Sequence, residues 1–387
     1  MTLGALEAQD RRITDAEVAQ VHRSAILIDT HNDVPMRTLA GFDIGKRADT
    51  GHTDLVRLRE GGVGAVFFAA YVAAEYARQG QSAHRVLDMI GTIRHDIVAR
   101  YPDGFAPAGS AAEIEAGHRQ GKVAALIGVE GGHAIENSLH ILRDLYALGV
   151  RYMTLTHVNT NDWADSCGDE KDPAVQHHNG LTPLGKDVVR EMNRLGMLVD
   201  VSHVSDRTFW DVLAASEAPV FASHSSCRAV CNVPRNMTDE MIVALAKKGG
   251  VVQINFACGF LSQKTADAER DANVYARWGE IEKKFAGDPE RLKAEAAKLE
   301  VEMRGKVPRA MLADVVAHID HAVKIGGVDH VGIGSDFDGI PCAPEGLDDV
   351  SKFPNLTRAL LEKGYTAEDI RKIYGGNTLR LMRAVAR

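Results

Sequence analysis

Ile26 to Asp33 reads ILIDTHND, an apolar start that runs into Asp, Thr, His, Asn and Asp. A buried strand usually stops on a turn residue or two, yet this one stops on an imidazole and a carboxylate two positions apart. Residues i and i+2 of a strand share a face, so a strand reaching Asp33 sets His31 and Asp33 side by side. Asp and Asn are also ordinary turn formers. Taken alone, the octapeptide reads equally well as a strand end and as half of a metal site.

Outward from it, similar apolar runs recur at 62–72, 122–132, 150–157, 196–203, 219–225, 250–256 and 330–337. Between them lie SAHRVLDMIGTIRHDIVARY, NSLHILRDLYALG, PLGKDVVREMNRLG and SDRTFWDVLAAS, with apolar residues at helical spacing and often a closing Gly. Strands alternating with helices predict βαβ units and a parallel sheet. Eight such strands are the number that closes a (β/α)8 TIM-type barrel. An open doubly wound sheet is the alternative, but it usually carries a Gly-rich turn after its first strand, and HNDVPM is not one. Residues 1–387 read as one barrel domain. The charged, helix-favouring stretch 262–306 reads as a helical insertion between the seventh and eighth strands: a lid, a dimer contact or a solvated hairpin.

Composition narrows the partners. Acidic residues (53) outnumber basic ones (45), giving a net charge of −8 with no basic run. Nucleic acid and anionic membranes are therefore not expected partners. No apolar stretch reaches the length of a membrane span. The first 25 residues contain no apolar core of a signal peptide, so a cytoplasmic protein is expected, with a processed exported form as the alternative. Five cysteines without a CxxC pair argue against a disulfide scaffold and a thiolate metal site. They read as buried small hydrophobes, with a single bridge left open.

The last polar residues of the strands carry the chemistry. They are His31 and Asp33, Glu130, His157, His203, His224 and Asp336. A barrel collects strand ends at one rim, where barrel enzymes place their active sites. Each residue alone has a structural explanation, but buried ionisable groups at corresponding places in many βα units are costly unless paired or metal-bound. Imidazole and carboxylate without thiolate suit zinc or a similar ion. The donors exceed the needs of one tetrahedral ion, which suggests two metals sharing a carboxylate, with Glu130 as the natural bridge. G-x-S-x-G and H-E-x-x-H are both absent.

Together these residues resemble the membrane (renal) dipeptidase family of the amidohydrolase superfamily. The resemblance is carried by DTHNDVP (29–35), LIGVEGGH (126–133), TLTHVN (154–159), DVSHVS (200–205), FASHSS (221–226), NVPRNMTDE (232–240), HVGIGSDFDG (330–339) and EGLDDVSKFPNL (345–356). It implies a barrel with two zinc ions, one held by His31, Asp33 and Glu130, the other by Glu130, His203 and His224. It further implies a dipeptidase in which a bridging hydroxide attacks the amide and Asp336 carries the proton to the leaving amine. His157 would stabilise the oxyanion and Arg235 would hold the substrate carboxylate. On the residues alone, Arg235 reads as a surface ion pair with Asp239 or Glu240. The family tyrosine expected after the seventh strand is replaced by Ala257. The resemblance adds tolerance of a C-terminal D-residue. N-acyl amino acids, cyclic amides and β-lactams remain alternative substrates, a non-catalytic metal-binding barrel a further alternative, and a homodimer the expected assembly.

Overall fold

The computed structural model describes residues 13–285 and 288–386. Its strands are β1 (Leu27–Asn32), β2 (Val63–Tyr71), β3 (Phe105–Pro107), β4 (Val123–Glu130), β5 (Val150–Thr154), β6 (Leu198–Asp200), β7 (Phe221–Ala222), β8 (Val251–Ile254) and β9 (Val331–Ile333). All pair in parallel. Going round, β1 meets β2, β2 meets β4, and β5 to β9 follow in chain order. Asp29 opposite Ile333 closes the ring. Eight strands thus form the expected barrel, and a closed ring leaves no sheet edge exposed.

The ninth strand, β3, lies outside that count. Phe105–Pro107 pairs with Val123–Ala125 at the start of β4, on the edge that β5 takes over from Ile127. Three residues ending in proline, within YPDGFAPAG, carry no alternation that could mark a strand in the sequence.

Burial explains the apolar runs. Every residue of β1, β2 and β4 is buried, as expected of strands covered on both faces. The barrel interior is layered. Ile28, Phe67, Leu126, Tyr152, Leu198, Phe221 and Val251 form an apolar floor with Leu379 and Met382 of helix Asn377–Val385. Above it comes a polar layer, in which Thr30 Oγ1 donates to the Ser223 carbonyl and Thr154 Oγ1 to Asp200. A larger apolar shell packs the strands' outer faces against the helices. The expected helices form where helical spacing placed them. PLGKDVVREMNRL is helical over Pro183–Leu195, capped by the Thr182 hydroxyl and ended by Gly196 at φ 79°.

Between β8 and β9 the insertion is helical, over Gln263–Asp271, Val274–Phe285 and Pro289–Met303. Val274, Leu299 and Met303 give it a small core of its own. The cysteines depart from the reading of five buried hydrophobes. Cys258 and Cys342 form a disulfide, while Cys167, Cys227 and Cys231 are buried thiols. The bridge ties the chain after β8 to the chain after β9, a pairing between residues 84 apart that no local pattern signals. Among the described residues, no helix is long and apolar enough to cross a membrane.

Candidate active site

Alternation along β4 sends Ala124, Leu126, Gly128 and Glu130 to one face, and the first two belong to the barrel's interior floor. Glu130 therefore rises at the centre of the C-terminal rim. Its Oε1 lies 3.1 Å from His203 Nε2 and 3.3 Å from His224 Nε2, while Oε2 lies 3.4 Å from His31 Nε2. One carboxylate oxygen faces each set of imidazoles. Burial opposes ionisation of Glu130, but the imidazoles around it, His31 foremost, outweigh it and hold the carboxyl well below its usual range.

His31 and Asp33 do meet, with His31 Nε2 3.3 Å from Asp33 Oδ2. They do so without strand alternation, because β1 ends at Asn32. Asp33 instead precedes helix Val34–Leu39, with its N–H bonded to the Phe337 carbonyl. Pro35 in the helix's first turn stops the strand.

The deeper polar layer sets the histidine tautomers. The Ser223 hydroxyl donates to Asp200 Oδ2 at 2.6 Å, so at 2.7 Å it can only accept from His224 Nδ1–H. That leaves His224 Nε2 as a bare lone pair 2.9 Å from His203 Nε2. Burial pushes both imidazoles well below 6.5, so both are neutral. His31 Nδ1 contacts the Tyr152 hydroxyl at 2.7 Å, and a side chain at Gly128 would strike that tyrosine's ring within about 2.0 Å. Glycine at 128 thus lets Tyr152 reach up from the floor.

The arrangement makes sense around cations. His31 Nε2 and both Asp33 oxygens are buried with no well-formed hydrogen bond, only the 3.3 Å approach of Nε2 to Oδ2, although such groups are costly when so poorly matched. Three overlapping triads bring ligand atoms within 4.8 Å of one another: His31, Glu130 and His224; Glu130, His157 and His203; His31, Asp33 and Asp336. Glu130 links the first two triads and His31 the first and third. The donor set therefore fits the binding of a divalent metal ion.

Asp336 follows β9 with φ 63° and accepts from Asn255 Nδ2 at 2.8 Å. Burial, with Asp33 and Glu130 nearby, pushes it up to about 8 against the pull of His31. Gly339 makes room for the pair, since a Cβ there would meet Asp33 Oδ2 at 2.4 Å and Asp336 Oδ1 at 2.6 Å. His157 stands beside the cluster, its Nε2 3.8 Å from Glu130 Oε1, and burial pushes it down to about 4. Arg235 makes no ion pair with Asp239, which bonds His321 instead. Its guanidinium turns inward and donates to Ser225 Oγ and the His224 carbonyl.

The family model for membrane dipeptidases, peptidase family M19, matches residues 15–387. The chain belongs to this family. Dipeptidase verJ of Clonostachys rogersoniana is 38% identical over 93% of this M19 peptidase and 84% of its own length. Dipeptidase tcpJ of Claviceps purpurea is 36% identical over 92% of the chain and 76% of its own length. Among solved structures, the probable dipeptidase PvdM from Pseudomonas aeruginosa aligns with a TM-score of 0.81 and 27% identity, covering 96% of this chain and 98% of that one. A metallo peptidase from Rhodobacter sphaeroides, liganded with a phosphinate mimic of L-Ala-D-Ala, aligns at 0.74 with 27% identity, covering 93% and 99%. This M19 peptidase is accordingly a dipeptidase with candidate metal-binding groups.

Two contributors were not singled out from the sequence. Asn255 directly follows β8 (the seventh barrel strand), and was legible by the same strand-end rule that found the ligands. Tyr71 ends β2 and sets its ring edge-on to His157 at 4.8 Å.

Proposed function

We propose that the chain hydrolyses the single amide of small dipeptides, including those with a C-terminal D-residue, at two zinc ions. His31, Asp33 and Glu130 would hold one ion, and Glu130, His203 and His224 the other. The observation that carries this reading is the split of Glu130, one oxygen toward His31 and the other toward His203 and His224. The Rhodobacter relative's L-Ala-D-Ala mimic supports the substrate class. Bound there, two divalent ions supply a water of lowered pKa and a Lewis acid for the amide carbonyl.

The remaining roles fall to the chain's own side chains. Asp336 takes the proton of the attacking water and returns it to the departing amine. Burial raises its affinity for a proton, and nearby cations lower it, which suits a group that must do both. Asn255 fixes which carboxylate oxygen is free for this. His157, neutral, presents an N–H where the tetrahedral carbon's oxygen gains charge. Arg235 holds the substrate carboxylate through its planar fork. Its distance from the metal ligands then measures one residue beyond the scissile bond.

A panel of free dipeptides, C-terminally amidated dipeptides and tripeptides tests the reading. Amidation, tripeptide extension or Arg235→Ala is expected to lower kcat/KM at least about tenfold, since a charge-assisted bidentate contact is lost. Combining amidation with Arg235→Ala should cost little more than either alone, because both remove one contact. Amidated dipeptides cleaved as well as free ones would overturn the carboxylate anchor and favour N-acyl or cyclic amide substrates.

A further inference from the structure

The insertion reaches back to the rim of the barrel beside Arg235. Phe260, in the short helix Cys258–Leu261 after β8, places its ring against Arg235, with the guanidinium carbon 5.4 Å from the ring centroid. Tyr275, the second residue of insertion helix Val274–Phe285, stacks on Phe260, with centroids 6.0 Å apart and planes within 6° of parallel. The Tyr275 hydroxyl is turned toward Glu269 and feels the charges of Asp336 and Arg235. Glu269 is itself only 3% exposed, yet 47% of Tyr275 remains open. Gly259 makes room for this carboxyl, because a Cβ there would lie 1.8 Å from Glu269 Oε2.

The insertion thus fixes an aromatic surface beside the arginine and leaves it uncovered. A ring serving only to pack the insertion would bury its face. Here the hydroxyl end is anchored and the ring is half presented. In any amino acid, the carboxylate and the side chain leave from the same carbon. A carboxylate seated on Arg235 therefore brings its side chain to the rings stacked next to that guanidinium.

Resting on the dipeptidase reading and its Arg235 anchor, we propose that Phe260 and Tyr275 form the subsite for the side chain of the substrate's C-terminal residue. The subsite favours apolar and aromatic side chains over glycine. It disfavours acidic ones, because the faces of the Phe260 and Tyr275 rings carry the negative side of the aromatic quadrupole and offer a carboxylate no donor.

The test is kcat/KM for L-Ala-Gly and for the L- and D-forms of Ala-Leu, Ala-Phe and Ala-Asp. Wild type, Tyr275→Ala and Tyr275→Phe are compared. Wild type should cleave the preferred Ala-Phe and Ala-Leu isomers better than Ala-Gly, and Ala-Asp worst. Tyr275→Ala should lower Ala-Phe and Ala-Leu about fivefold or more while Ala-Gly moves less than about twofold, as expected for loss of an aromatic contact. Tyr275→Phe should keep the Ala-Phe rate, because the ring does the reading. Equal losses on all substrates, or no loss on any, overturns the subsite while turnover of Ala-Gly upholds the dipeptidase reading. A wild type inert on every dipeptide overturns both.

Discussion

Asp336 is the residue whose chemistry decides between a metal-binding barrel and a hydrolase. Ion ligation alone has no need of a carboxyl held by Asn255 with its other oxygen toward Asp33. Asn keeps the shape but cannot carry a proton. Asp336→Asn is therefore expected to retain bound metal while kcat falls about 10²–10⁴-fold. Metal analysis and kinetics on the same preparation check this. Loss of metal along with activity would make Asp336 a ligand first, and a near-normal kcat would remove the proton-carrying role. At this scale the sequence was informative wherever chemistry sits at strand ends. His31, Asp33, Glu130, His157, His203, His224 and Asp336 all stood in such places, and the structure brings them together. Arg235 was different. Nothing in NVPRNMTDE distinguishes an inward guanidinium from a surface one, and only the family resemblance pointed inward.

Among the elements, the eight barrel strands were legible because burial on both faces leaves continuous apolar runs. What was hidden depends on contacts between distant segments: the edge strand β3, the Cys258–Cys342 bond, and the return of the insertion to the rim. Glu269, on insertion helix Gln263–Asp271, shows what that return costs. Burial pushes its carboxyl up from 4.5 to about 7, with the Tyr275 hydrogen bond pulling the other way. Between those values the folded chain binds more protons than the unfolded one. Stability therefore falls as pH rises through that window and stays at the lower level above it. Glu269→Gln removes the titration. It is expected to raise the melting temperature at pH 8, by an effect on the order of 2–3 kcal/mol, and to change little near pH 4.5. Thermal scans of both proteins at the two pH values check this. A gain of equal size at both would mean that packing, not charge, is responsible.

At the scale of the whole molecule, the candidate metal ligands come from the ends of β1, β4, β6 and β7, residues far apart in sequence that meet only when the ring is closed. Folding gathers the buried Asp33 and Glu130 with the half-buried Asp336, and of the imidazoles lining them only His31 is pushed toward its charged form, so the acidic groups are compensated there only in part. The unfolded chain has no such site, so ions bind the native state alone and stabilise it by mass action, about 4 kcal/mol at a thousandfold excess over Kd. Purified protein is expected to hold about two divalent ions per chain. Stripping them with a chelator should abolish turnover and lower the melting temperature by about 4 °C or more. Zinc should restore both. Glu130→Gln separates the shared carboxylate from its neighbours: it should reduce metal content below one ion per chain and shift the chelator-free melting temperature toward that of the stripped wild type. His203→Ala, which removes a ligand from one side only, should leave about one ion bound. Full activity in a preparation shown to contain no metal would end the binuclear reading, and loss of both ions in His203→Ala would mean that the two positions fill as one.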